Sequence, residues 1–422
     1  MTTISQDFNT QQSVPDDGDT LTVAKGVNGI VNDTVINAST VADNRQVIVK
    51  GHLEANGDNS PDAINLGLFS DAAGSTGNVI TVTETGSLKA ADSGIEVYAA
   101  GTQITNDGSI KGTYGIYGSL AGGMVVNNGA ITASDTVGEF FDGSMQFENA
   151  GTLKSSGGYA LRFHGDLNSA INTGSIIATK GMAVYFQSNP GEMNLLENKG
   201  SISGASIAFQ GGAGDEMVKN YGTMSGDVVL GDGENSFILK RGSVDGIVYG
   251  GVDADAYTIN AGMLQISEAK GGSAQDHVYS SVDITLARNV ELLTLKGGDA
   301  IDGNGNGSDN SIFGNRQNNV IKGGKGDDYL DADAGKDVLA GGAGADTFYF
   351  DDGYGKDTIT DFEDGTDKIA PYNHSATPDF NSLKQHMEQV GSDVVIDFGG
   401  GDVLTIDNIK LNQLSKNDFL EL

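Results

Sequence analysis

The sequence predicts an all-β chain, a right-handed parallel β-helix followed by a second, tighter parallel β-roll. Two internal periods and the composition carry that expectation. Gly supplies 63 of the 422 residues while Pro supplies 5 and Trp none, the balance of a tight-turned β protein rather than of a Pro-rich disordered one. Cys is absent, so disulfides and thiolate metal sites are excluded. The 24 basic and 57 acidic side chains leave a net charge of −33, which makes nucleic acid a poor partner and leaves many carboxylates for metal ions. No apolar run reaches the roughly 18 residues of a membrane-spanning helix. The first twenty residues lack the basic start and apolar stretch of a secretory signal peptide.

The longer period is anchored by Asn-x-Gly-[Ser/Thr/Ala]-apolar, at Asn106, Asn127, Asn149, Asn172, Asn198 and Asn220, with spacings of 21, 22, 23, 26 and 22. Degenerate copies at Thr85-Gly86-Ser87-Leu88 and Arg241-Gly242-Ser243-Val244 extend the series to eight rungs. Between anchors lie short alternating runs such as Leu161-Arg162-Phe163 and Val184-Tyr185-Phe186. Each is too short to bury its apolar side alone, so successive copies must stack in parallel register around a shared core. The asparagines are expected at corners, where they tolerate left-handed backbone and can link amide to amide from rung to rung.

Residues 1–20 read as a flexible N-terminal arm, 21–250 as the β-helix and 251–304 as a β junction. The β-roll follows over 305–370. Residues 371–422 form a C-terminal cap, with a short helix over Phe380–Gln389 and strands at Asp393–Phe398 and Asp402–Ile409.

The second period is nine residues. From Gly305 it runs GNGSDNSIF, GNRQNNVIK, GGKGDDYLD, ADAGKDVLA, GGAGADTFY, and after a two-residue insertion DGYGKDTIT repeats the design. The sixth position is Asn310, Asn319, Asp328, Asp337, Asp346 and then Asp357; the eighth is apolar throughout. Small residues at the first, second and fourth positions let carbonyl oxygens converge, the sixth-position carboxylate adds charge, and the eighth residue turns inward. Each copy is half a turn, so a calcium ion would sit between copies n and n + 2. The candidate metal ligands are Gly323, Lys325, Asp327, Asp328, Gly341, Ala343 and Asp346 on one edge, with Asp337 and Asp357 on the other. Asn310 and Asn319 read as weaker or water-filled starts.

These nonapeptides resemble the RTX (hemolysin-type calcium-binding repeat) family, whose signature is GGxGxDxUx. The likeness extends to the lead-in VYSSVDITLARNVELLTLKG, the exit ADTFYFDDGYGKDTITDFEDGTDKI and the tail SDVVIDFGGGDVLTIDNIKLNQLSKNDFLEL. It covers residues 275–422. Asn for Asp in the first two copies, and Ala332-Asp333 for Gly-Gly in the fourth, depart from the signature. The resemblance implies calcium as cofactor, type I export without an N-terminal signal or cleavage, and an extracellular destination. The earlier two-thirds is similar only to repetitive β-helical surface proteins and adhesins.

Between Asp299 and Asp367 stand 16 acidic residues and five basic ones, Arg316, Lys322, Lys325, Lys336 and Lys356. That density keeps the segment expanded until calcium arrives. The expected work is structural or adhesive, at a cell surface or in an extracellular matrix, as a surface-layer, biofilm or filament component. Partners expected besides calcium are further copies of the chain, surface polysaccharide and the type I secretion machinery. The alternatives are a calcium-dependent polysaccharide lyase or epimerase, for which Arg162, His164 and Asp166 are the candidate constellation, and a lectin-like glycan binder. HExxH and Gly-x-Ser-x-Gly are missing, the five His are scattered, and rungs of 20 to 26 residues leave little room for cleft-forming loops, so the sequence points away from an enzyme.

Overall fold

A computed structural model describes residues 1–14, 18–38, 43–66, 76–270, 275–374 and 379–420. The chain is a parallel β-solenoid, and it divides into two compact units, Met1–Gly250 and Gly251–Leu422.

In the first unit most turns of the coil contribute three short strands, and in two turns the second and third merge into one, Ser201–Gln210 and Thr223–Val229. One such turn is Gln103–Asn106, Ser109–Gly112 and Tyr114–Ser119; the next is Met124–Asn127, Ala130–Ala133 and Gly138–Phe140. Every strand pairs in parallel with its equivalent one turn away, so Ile104 meets Val125, Ile110 meets Ile131 and Ile116 meets Gly138. Alternation does the sorting: in Gln146–Asn149 and Thr152–Ser155 every second side chain is buried. The inward column of Phe140, Phe163, Phe186 and Phe209 is fully buried, with successive ring centroids 5.3, 5.2 and 5.5 Å apart. Stacking at that spacing joins adjacent rungs beyond the area it removes from water.

The Asn anchors are buried, and they form a continuous ladder at one corner. The side-chain Nδ2 of Asn106 donates to Oδ1 of Asn127 at 2.7 Å, and the same bond runs from Asn127 to Asn149, Asn149 to Asn172 and Asn172 to Asn198 at 2.8 Å, and from Asn198 to Asn220 at 2.9 Å. The expected left-handed backbone is not the reason they stand there. None of the six has positive φ, each closing a β-strand with its amide turned inward. The glycine two residues on has its own reason: a Cβ on Gly151 would collide with the carbonyl oxygen of Gly129 in the preceding rung. An amide buried without such partners would cost about 1–3 kcal/mol.

The expected flexible arm is instead the first turn of the coil. Thr2–Ile4 pairs with Leu21–Val23, Phe8 bridges to Gly29, and Gln12–Ser13 pairs with Ile36–Asn37. Its alternation is too short to read in the sequence, and Pro15–Asp17 lie outside the described residues.

The second unit begins with Ala256–Ile259, His277–Ser280 and Leu292–Leu295 in parallel register and passes into the nonapeptides without a break in pairing, Leu293 meeting Ile312. Copies alternate between two facing columns, Ile312–Leu330–Phe348–Ile369 and Ile321–Leu339–Ile359–Ile406. The nonapeptide is therefore half a turn. The C-terminal segment changes direction: Asp402–Ile406 continues one column in parallel, then pairs antiparallel with Asp393–Gly399, which pairs antiparallel with Met387–Val390. The helix is shorter than expected, Phe380–Lys384, capped by Asp379, because Met387–Val390 is drawn into this sheet. On the other column Phe419 bridges to Ile369, so both terminal strands are covered rather than left as open edges.

The ladder makes a direct prediction. Asn149→Ala should lower the stability of the first unit by about 3 kcal/mol, because it strands the Oδ1 of Asn172 and opens a small cavity. Asn128→Ala, on the exposed side of the same corner, should change it by less than about 0.5 kcal/mol. Urea unfolding in the presence of calcium measures both.

Candidate metal centre

The sixth-position side chains form two ladders, one on each edge of the nonapeptide coil. On the first, the backbone N–H of Asn310 donates to Oδ1 of Asp328 at 2.8 Å, that of Asp328 to Oδ1 of Asp346 at 2.9 Å, and that of Asp346 to Oδ1 of Asp367 at 3.0 Å. On the second, Asn319 donates to Asp337 at 2.7 Å and Asp337 to Asp357 at 2.9 Å. Each carboxylate thus spends one oxygen on the rung before it. The other oxygen, Oδ2, is buried and has no hydrogen-bond partner among the described residues in Asp328, Asp337, Asp346 and Asp357.

A buried carboxylate oxygen without a donor is costly, and burial raises the pKa of all four groups. Asp328 is pushed up to about 7, by desolvation first and then by the neighbouring Asp346, Asp309 and Asp327. Asp337 and Asp357 titrate as one pair, raised by burial. An oxygen-only donor set with spare negative charge fits a hard divalent cation.

The backbone is shaped to match. Gly324, Gly326, Gly342 and Gly344 all have positive φ, and in the fourth copy Asp333 takes the same left-handed conformation at φ 60° in place of glycine. The sheet aligns Gly324 with Gly342 and Lys325 with Ala343, so Gly323, Lys325, Asp328, Gly341, Ala343 and Asp346 lie in neighbouring turns of one edge. Asp337 and Asp357 are brought together on the other. The Asp327 side chain is engaged elsewhere, its Oδ1 accepting from the N–H of Ala345 at 2.7 Å. That leaves Oδ2 and the carbonyl of Asp327 without a bond to that amide.

The first two copies differ in kind from the other four. Nδ2 of Asn310 donates to the carbonyl of Val290 at 2.9 Å, and Nδ2 of Asn319 to the carbonyl of Ile301 at 2.6 Å. The amide nitrogen stands where a carboxylate would place Oδ2, and it satisfies the corner with no ion.

Three residues that the repeat signature does not mark accept from backbone amides of these turns, and one of them, Asp367, closes the first ladder. Asp361 accepts from the N–H groups of Gly341 and Gly342 at 3.0 and 3.1 Å; Asp367 accepts from Asp346 and from Glu363 at 2.8 Å; Asp402 accepts from Gly353 and Gly355 at 2.8 and 2.9 Å. Both oxygens of each are occupied by amides. A separate group, Asp255, Glu268 and Asp276, has ligand atoms within 4.8 Å of one another; burial raises Glu268 to about 7 and Asp276 to about 6, and the Tyr257 hydroxyl donates to Glu268. Its members are spread over a stretch with no period, which hid it.

The candidate lyase constellation is not assembled. Arg162 reaches Oε1 of Glu139 at 3.1 Å and Oε1 of Gln187 at 2.6 Å, and its guanidinium lies over the rings of Tyr159 and Tyr185. His164 stacks on Phe141 and lies 3.3 Å from the same Glu139 oxygen. Asp166 makes none of these contacts.

Residues 304–339 and 330–356 match the family of RTX calcium-binding nonapeptide repeats (4 copies). Calcium is the cofactor of those repeats. Over 266 residues, 59% of its length, the chain is 26% identical to the adhesin BmaC autotransporter of Brucella suis biovar 1 (strain 1330). It spans 7% of that relative. Among solved structures, the extracellular lipase LipA from Serratia marcescens is similar at 15% identity over 55% of this chain and 40% of the lipase, with a TM-score of 0.21, a likeness too slight to bear on fold or activity.

The shifted carboxyls set a pH dependence. Because the folded, calcium-free form holds the Asp328 proton more tightly than the unfolded chain does, stability in EDTA should fall as pH rises from about 4 to about 7. Calcium takes the ionised form, so its affinity should rise over the same range with proton release. Thermal unfolding of the full chain in EDTA and in calcium at pH 5 and pH 8 measures the two opposite slopes. Asp328→Asn should reduce the calcium bound, by equilibrium dialysis, without lowering stability in EDTA.

Proposed function

We propose that this chain, which carries RTX calcium-binding repeats on a parallel β-solenoid, is an extracellular structural or adhesive protein of the cell surface or matrix whose second unit folds on calcium after export. The observation that carries the reading is the set of four buried Oδ2 atoms without partners. In a calcium-poor cytosol they and their acidic neighbours repel one another and keep the segment open; at the ~0.1–1 mM affinity of extracellular calcium modules they close around ions. The ligands on one edge are Asp328 and Asp346 with carbonyls from Gly323, Lys325, Asp327, Gly341 and Ala343, and on the other Asp337 and Asp357. Residues 371–422 serve both as the cap of the coil and as the signal that type I machinery reads. Similarity to an adhesin over much of the chain supports the surface role.

Self-association into a surface layer, biofilm matrix or filament follows from the solenoid itself, since a stacked coil offers repeated faces along its length. Electron microscopy of the purified protein should show sheets, filaments or cell-bound material in millimolar calcium and dispersed particles in EDTA. Monomers that persist in calcium would refute the assembly reading.

A further inference from the structure

On a chain of net charge −33, one open groove of about 580 Å³ is lined by three lysines and by no carboxylate. Lys89, Lys111 and Lys154 share it with hydroxyl-bearing Thr132, Ser134 and Ser156. The arrangement is set by the sheet. Leu88, Ile110, Ile131 and Leu153 point into the core, so the residue after each points out, and parallel register puts Lys89, Lys111, Thr132 and Lys154 in one column. All three lysines are exposed.

They are not equivalent. The ammonium of Lys89 is paired with Glu54, whose pKa it lowers to about 2 with help from His52. Lys111 and Lys154 have no ion pair among the described residues. Adjacent rungs stand ~4.8 Å apart, so these two free charges are ~10 Å apart along the coil with Thr132 between them. That separation is close to one disaccharide of an extended β-linked glycan. Screening limits the reach of the chain's other carboxylates to ~8 Å at physiological salt, so the local positive field survives the overall charge.

We propose that this groove binds an acidic polysaccharide carrying one carboxylate or sulfate per disaccharide, with Lys111 and Lys154 holding successive anionic groups and Thr132 hydrogen-bonding the sugar between. The inference rests on the surface-protein reading and gives it a ligand class and a site. It is independent of self-assembly, which electron microscopy reads separately and which the lysine substitutions should leave intact.

The probe is a set of hyaluronan oligosaccharides, one carboxylate per disaccharide, titrated calorimetrically into the calcium-loaded full chain beside an uncharged β-glucan. Hyaluronan should bind, more weakly as salt rises, and the glucan should not. The double variant Lys111→Ala/Lys154→Ala should bind at least about tenfold more weakly, with an unchanged circular dichroism spectrum, while Lys25→Ala, an exposed lysine outside the groove, should bind as the unaltered protein does. No hyaluronan binding by the unaltered chain, equal binding by the double variant, equal loss in Lys25→Ala, or equal affinity for the glucan would each overturn the proposal.

Discussion

A solenoid turns the chain through a corner several times per rung, and at each corner some backbone N–H or C=O faces inward with no strand partner. What receives it decides how the rung behaves. In this protein the answer is repeatedly a side chain from the next turn, accepting through one oxygen. The identity of its second terminal atom then matters more than any other feature of the sequence. Where that atom is an amide nitrogen, as in Asn310 and Asn319, it finds a carbonyl and the corner is complete. Where it is a carboxylate oxygen, as in Asp328, Asp337, Asp346 and Asp357, the corner is left with buried negative charge. On the proposed reading calcium neutralises that charge, and folding of those rungs is a binding equilibrium.

The first unit shows the same device without charge. Asn168 offers Oδ1 to the N–H of Met145 and Nδ2 to the carbonyl of Gly165, and Asn235 does likewise for Glu216 and Gly233. Together with the six-membered Asn ladder and the Phe column, these corners join rung to rung through uncharged side chains. The two units therefore share a geometry and differ in what they require from solution. The lysine column belongs to the first unit, away from the aspartate ladders of the nonapeptides.

Much of this was legible in the sequence because periodicity reports register. The spacing of Asn106, Asn127 and Asn149 gives the turn length, and the nine-residue phase alone places Asp328 beside Asp346 and Asp337 beside Asp357. What escaped was whatever lacks a period. Thr2–Ile4 joins the coil through pairing that only its neighbour Thr20–Val23 reveals. Asp367 closes one ladder from an irregular position, and Asp402 reaches Gly353 from 49 residues away. For the Asn anchors the expected amide stack is present and the expected left-handed backbone is not. Asparagine suits both a left-handed turn and an amide stack, and only backbone angles distinguish them.

The amide ladder has a direction. Every Nδ2 from Asn106 to Asn198 points toward the following rung, so each interior carboxamide is donor on one side and acceptor on the other. Hydrolytic loss of ammonia from Asn149 or Asn172 would replace the donor with a second acceptor, and two oxygens would face each other inside an apolar coil. The exchange that distinguishes an aspartate corner from an asparagine one in the second unit would thus be damage in the first.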